Sequence, residues 1–186
     1  AVRKTTQEIV ATFGHIDILI NNAAMTVESD AGTSGYFDPF EDYSVELWEK
    51  ALRVSLTGAF ICTQAIGRQM MSQRSGVVLS IASDVGVISP DHRIYLPEGD
   101  YPGVPFNTPL SYAVAKAGLI SLTRYLATYL APHNIRVNSL SPARVYTNQD
   151  DEFVKRLSNL IPMGRMAAKD EYKGAVVFLT SDASAF

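Results

Sequence analysis

The chain has one cysteine, three histidines, one tryptophan and no apolar run long enough to span a bilayer, and each shortage narrows what it can do. Cys62 has no second cysteine to pair with, so an intrachain disulfide framework is excluded, which suits a reducing compartment. The first residues lack the basic, apolar and small-residue segments of a secretory leader. Together these absences give the expectation of a cytoplasmic protein that makes no membrane contact. Charge is also sparse: 19% of residues are charged, the net charge is -3, and the Lys and Arg residues are scattered. A nucleic-acid surface needs a basic patch or stripe, so no nucleic acid and no metal are expected, and the partner is a small molecule.

At 186 residues and 47% hydrophobic, the chain suffices for one domain with a full core, expected over residues 1–186 without linker or repeat. Thr5 to Phe13 reads as an amphipathic helix stopped by Gly14. His15 to Ile20 reads as a buried parallel strand that opens at Asn21-Asn22-Ala23-Ala24 into a loop of small residues. Such a loop either lets a flat ring or a ribose approach the backbone or is a plain turn. After a loop over 25–43, Glu46 to Met71 forms one long helical pattern, apolar round more than one face, and is therefore buried or oligomer-forming, with Cys62 in its core.

Val77 to Ile81 makes a second strand, which leaves at Ala82-Ser83-Asp84. Ser83 thus lands beside the Asn21 loop, as a functional hydroxyl or as a turn-capping serine. Residues 89–109 hold Pro90, Pro97, Pro102, Pro105 and Pro109 and resist regular structure. A helix over 112–130, a strand over Ile135 to Leu140 with its exit at Ser141-Pro142, and helices over 153–160 and 170–179 complete the chain. Alternating strands and helices predict the α/β class, a Rossmann-like doubly wound parallel sheet whose ligands bind at the carboxyl ends of the strands.

Ser111-Tyr112-Ala113-Val114-Ala115-Lys116-Ala117-Gly118 puts a phenol and an ammonium one helical turn apart, facing the same way. An ammonium beside a phenol favours the phenolate by charge attraction, so the pair can exchange a proton with an alcohol or carbonyl without a histidine. The same spacing also occurs on solvated helix faces.

Asn21-Asn22-Ala23, Ser83, Tyr112-x-x-x-Lys116 and Arg136-Val137-Asn138 to Pro142 stand in one order, at strand exits or on the next helix. Together they resemble the short-chain dehydrogenase/reductase family over essentially the whole chain. The resemblance implies an oxidoreductase using NAD or NADP, with Tyr112 as general acid/base, Lys116 easing its deprotonation and holding the nicotinamide ribose, and Ser83 orienting the substrate oxygen. It implies that Asn21, Asn22, Ala23 and the Pro142, Ala143, Val145 and Thr147 loop contact the cofactor, and that a homodimer or homotetramer forms on the Glu46 and Tyr112 helices.

Three departures from the family pattern stand out. The Gly-rich turn that takes a pyrophosphate at a helix N-terminus is absent, so about sixty residues, two strand and helix units of about thirty each, are expected upstream in a longer protein. Ser55 stands where the family usually carries Asn, which implies a weaker proton relay to Lys116. Ala143 stands where many members have Gly, and would be strained if the backbone there needed positive φ.

Ser89-Pro90-Asp91-His92-Arg93-Ile94-Tyr95, Phe40-Glu41-Asp42-Tyr43, Asn148-Gln149-Asp150-Asp151-Glu152 and Gly164-Arg165-Met166 are similar to the flagellin modification protein A subgroup. That resemblance implies sugar metabolism for bacterial surface glycans, on a sugar phosphate or nucleotide-linked sugar. His92, Arg93 and Arg144 could then meet a phosphate, or are surface charge. A 3-oxoacyl or polyol reductase of the same family, and a non-catalytic cofactor-binding protein, are the competing expectations.

Overall fold

The computed structural model describes residues 1–25, 35–95 and 108–186. Helix α1 (Val2–Phe13) ends at Gly14, whose φ of 83° lets its N–H return to the Val10 carbonyl. Strand β1 (Ile18–Asn21) follows. It starts later than the apolar run suggests, because Gln73 takes both the N–H and the carbonyl of Ile16 at 3.0 and 2.9 Å. Pairing with the next strand begins only where Val77 N–H donates to the Asp17 carbonyl.

The long helical pattern is three pieces in succession: α2 (Val45–Leu52), a π-helical turn (Arg53–Thr57) and α3 (Gly58–Gln73). Ser44 caps α2 by accepting from the Leu47 N–H. Cys62 is half-buried on α3 rather than in the core. Strand β2 (Gly76–Ile81), helix α4 (Leu110–Leu130) and strand β3 (Ile135–Leu140) come next. Helix α5 (Asp151–Ser158) begins two residues before the expected start, because Asp150 accepts from the N–H groups of Glu152 and Phe153 and makes the acidic stretch a cap and first turn. Helix α6 (Lys173–Thr180) is the last α-helix among the described residues, followed by a 3-10 turn (Asp182–Ser184).

The three strands form a parallel sheet in the order β1-β2-β3, with Ile18 opposite Val77 and Gly76 opposite Ile135. Val78, Ile135 and Val137 meet Met70 of α3 and Leu130 of α4 in the main core, with Ile9 and Val10 of α1 packed alongside. Alternation turns Arg136 to the opposite face, where its guanidinium donates to the Leu179 and Ser181 carbonyls and to Ser184 Oγ. Helix α6 is thereby tied across β3, so helices flank both faces. Ile18 and Ile20 of β1 remain 45% exposed, which marks the sheet margin left uncovered among the described residues.

Candidate active site

The carboxyl ends of the strands and the start of α4 enclose one cavity of about 560 Å³, which holds Asn22, Ser83, Asp84, Tyr112, Lys116 and Arg144. Ladder bonds continue past the strands: Ala82 N–H donates to the Leu140 carbonyl at 2.7 Å and Asp84 N–H to the Pro142 carbonyl at 3.0 Å. Ser83 and Pro142 are therefore fixed side by side rather than on free loops. The turn after Ser83 then runs tightly under α4. A Cβ on Gly86 would stand 2.8 Å from the Lys116 carbonyl carbon and 2.9 Å from the Ala117 nitrogen, so only glycine permits that approach.

On α4 the four-residue spacing works as geometry requires. Lys116 Nζ lies 5.4 Å from the centre of the Tyr112 ring and donates to the Ile81 carbonyl at 2.5 Å. Burial pushes the Lys116 ammonium below its ordinary pKa, since a charge taken from water is disfavoured. With one hydrogen bond and three N–H groups, the buried ammonium has donors to spare toward the cavity, which fits a ribose diol.

Ser83 Oγ donates to Asp84 Oδ1 at 2.8 Å, and the same oxygen accepts from Val85 N–H. Tyr36, which also lines the cavity, donates its hydroxyl to the Met25 carbonyl at 3.0 Å. Burial pushes the Tyr36 phenol up, with Tyr43 and Tyr112 adding to the effect, so it stays protonated.

A model described as short chain dehydrogenase matches residues 1–95, and one described as enoyl-(acyl carrier protein) reductase matches residues 102–186. The chain belongs to the short-chain dehydrogenase family. Among curated relatives, D-threitol dehydrogenase of Mycolicibacterium smegmatis is 30% identical over 190 residues, covering 100% of this chain and 64% of its own. The 3-oxoacyl-[acyl-carrier-protein] reductase of Aquifex aeolicus is 31% identical, covering 100% and 66%. A short chain dehydrogenase of Leptospira borgpetersenii, solved with bound NAD+, superposes with a TM-score of 0.84 at 34% identity, covering 100% of this chain and 65% of that one. A gluconate 5-dehydrogenase of Burkholderia cenocepacia, solved with NADP and tartrate, gives 0.81 at 28%, covering 100% and 65%. This short-chain dehydrogenase chain thus spans about 64% of the length of the first such relative.

Of the cofactor positions that the family pattern names, Asn22, Pro142, Ala143 and Val145 line the cavity with Tyr112 and Lys116. Asn21 does not: it is buried and donates to Thr63 Oγ1 of α3 at 3.0 Å, tying strand to helix. Ala23 and Thr147 are outside the lining residues, and Thr147 is engaged by Gln149, which bonds its N–H and its hydroxyl. Ser55 is not among the residues that line the cavity. Its hydroxyl, on the π-helical turn, accepts from Met25 N–H at 3.0 Å and holds the loop after β1. Ala143 carries no strain, because the positive-φ residues other than glycine are Arg74, Asn134 and Asn148 among the described residues. Its N–H donates instead to the Tyr172 hydroxyl.

His92 and Arg93, expected beside Arg144, do not join it in the cavity. Arg93 is 89% exposed and forks onto Asp91, while His92 borders a neighbouring hollow with Phe40 and Pro90. Asp84, Tyr36, Tyr95 and Thr108 had no place in the sequence-based site. The Ser-Asp pair at a strand exit signalled only Asp84, as a side chain able to bond its neighbours.

Proposed function

We propose that this protein transfers a hydride between NAD or NADP and a carbonyl or alcohol carbon, with Tyr112 exchanging the proton. The observation that carries the reading is the convergence of Ser83, Tyr112 and buried Lys116 on one cavity at the carboxyl end of a parallel sheet. A bound nicotinamide would supply or take the hydride. Lys116 would hold its ribose, and Asn22, Pro142, Ala143 and Val145 would flank the ring. Tyr112 gives its proton to the carbonyl oxygen in reduction and accepts one from the alcohol in oxidation, with Ser83 completing the support of the developing alkoxide. Because Ser83 donates to Asp84, its lone pairs are the part presented to a substrate hydroxyl until the rotor turns.

The substrate is polar, and we assign it to the sugars and sugar derivatives of bacterial surface-glycan synthesis, as the likeness to flagellin modification protein A suggests. Relatives named for D-threitol, glycerol and mannitol support a polyhydroxylated substrate. The 3-oxoacyl alternative rests on relatives of that name, but Asp84 and Arg144 in the cavity wall favour hydroxyl and anionic groups over an acyl chain. The working unit is a cytoplasmic homodimer or homotetramer, supported by Phe60, Ile61, Tyr125 and Tyr129, large side chains exposed on α3 and α4. Nicotinamide absorbance with polyols, sugar phosphates, nucleotide-linked sugars and 3-oxoacyl thioesters tests the reading. Turnover of a sugar class is expected; turnover of thioesters alone would replace the substrate, and none with any class would reject the activity.

A further inference from the structure

We infer that Arg144 is the residue that fixes the substrate class of this site, by taking an anionic oxygen group, a carboxylate or a phosphate ester, while Tyr112 and Ser83 handle the reacting carbon. The inference deepens the hydride-transfer proposal and rests on it for the position of the reaction. Three observations carry it. First, Arg144 lines the same cavity as Ser83, Tyr112 and Lys116, at the exit of β3. Second, no ion pair joins it to a carboxylate among the described residues, whereas the neighbouring guanidinium groups are neutralised, Arg93 by Asp91 and Arg165 by Glu171. An arginine facing a cavity with neutral partners alone keeps its full charge for a ligand.

Third, the guanidinium is aimed. Arg144 Nη2 donates to the Tyr95 hydroxyl at 3.1 Å and lies 3.5 Å from Thr108 Oγ1, and these two oxygens stand 2.8 Å apart. Both residues are buried, at 7% exposure each, and the Tyr95 ring stacks on Phe153 of α5 with centres 5.7 Å apart. Behind it, Arg156 of α5 donates to the Ile94 carbonyl at 2.7 Å. The backbone is tied too, since the Arg144 carbonyl accepts from Ala167 N–H and the Tyr146 N–H donates to the Ala167 carbonyl. Nη2 carries two N–H groups, so with one given to the hydroxyls the other can still act with its neighbour along one edge of the guanidinium, in a bidentate contact to a planar carboxylate or to phosphate oxygens. Tyr95 and Thr108 are positioning residues in this arrangement, acting on the substrate only through Arg144.

The test is calorimetric binding and steady-state turnover on two matched pairs: D-glucitol with D-gluconate, and glycerol with glycerol 3-phosphate. Arg144→Gln, Arg144→Lys and Tyr95→Phe are compared with the unaltered protein, each checked for folding by thermal melting. The unaltered protein is expected to favour the anionic member of at least one pair, and which pair responds tells carboxylate from phosphate. Arg144→Gln should reduce that preference by about 10- to 100-fold, the scale of hydrogen bonds to a charged group. The loss should fall in KM more than in kcat. Arg144→Lys should recover part of it, and Tyr95→Phe should move it in the same direction by less.

Equal preference in Arg144→Gln and the unaltered protein, or no preference for either anion, overturns the inference. Arg144-dependent binding without turnover would reject the hydride-transfer proposal and leave the anion anchor standing, whereas turnover with Arg144-independent preference would do the reverse.

Discussion

Replacing Gly86 by Ala is the sharpest probe of how the cavity wall is built, because it touches none of the Ser83, Tyr112 and Lys116 side chains. The added methyl would stand 2.8 Å from the Lys116 carbonyl carbon, 2.9 Å from the Ala117 nitrogen and 3.0 Å from the Lys116 oxygen. All three are backbone atoms, so no rotamer can relieve the contact, and the turn after Ser83 must part from α4 by roughly half an ångström. Overpacking of this kind costs about 1–3 kcal/mol. For a chain of this size that lowers the melting temperature by roughly 3–10 °C. Misplacement by about 1 Å in an active site can cost ~100-fold in rate, so half of that should lower kcat by about tenfold. Gly174→Ala on α6 is the matched control: nothing lies within 4 Å of the added methyl, and the change should be neutral or stabilise by about 0.5–1 kcal/mol. Thermal melts and nicotinamide absorbance read both effects. A Gly86→Ala protein with unaltered kcat and melting temperature would refute the claim that close backbone contact sets the spacing of Ser83 and Tyr112.

Ser55→Ala should cost about 1–3 kcal/mol in urea denaturation, since the buried Met25 N–H loses its acceptor; an unchanged midpoint would mean that the loop after β1 is held by something else. Glu171 is held down to about 2 by Arg165 and by the Ala168 N–H, from a usual 4.5. A depressed carboxyl stabilises above its unfolded pKa and loses that contribution as pH falls through the folded one. Unfolding free energies should therefore decline between pH 4.5 and 2 less steeply in Glu171→Gln than in the unaltered protein. Lys116 works with the opposite charge: its folded pKa is below 10.5, so the unfolded chain binds more protons in that window and stability rises with pH through it. The stability of Lys116→Met relative to the unaltered protein should consequently fall as pH rises toward 10.5, and a pH-independent difference would contradict the buried ammonium.

Much of the fold was legible because its signals are local. Strand β3 occupies the expected residues, since Ile135 and Val137 alternate into the core and Asn134 turns the chain with a φ of 58° before it. The end of α1 was written in Gly14, and the cavity wall in Ser83, Tyr112 and Lys116. What was not legible depended on partners distant in the chain. Nothing near Ile16 announces that Gln73, 57 residues on, removes it from the ladder. Asn21 read as a cofactor residue, because its Thr63 partner lies 42 residues on, in helix α3. Arg93 and Arg144 look alike in sequence. Asp91 two residues away claims the first, and two hydroxyls on either side of residues 96–107 aim the second, with that segment outside the described residues.

The central claim is that Tyr112, in one cavity with Ser83 and Lys116, carries the proton that accompanies the proposed hydride transfer. Tyr112→Phe removes the hydroxyl and keeps the ring beside the Lys116 ammonium, so turnover and nicotinamide binding can be measured on the same protein. A fall in kcat of about 100- to 10,000-fold, with nicotinamide still bound, is the result the account requires. Turnover by Tyr112→Phe within a few fold of the unaltered protein would contradict it.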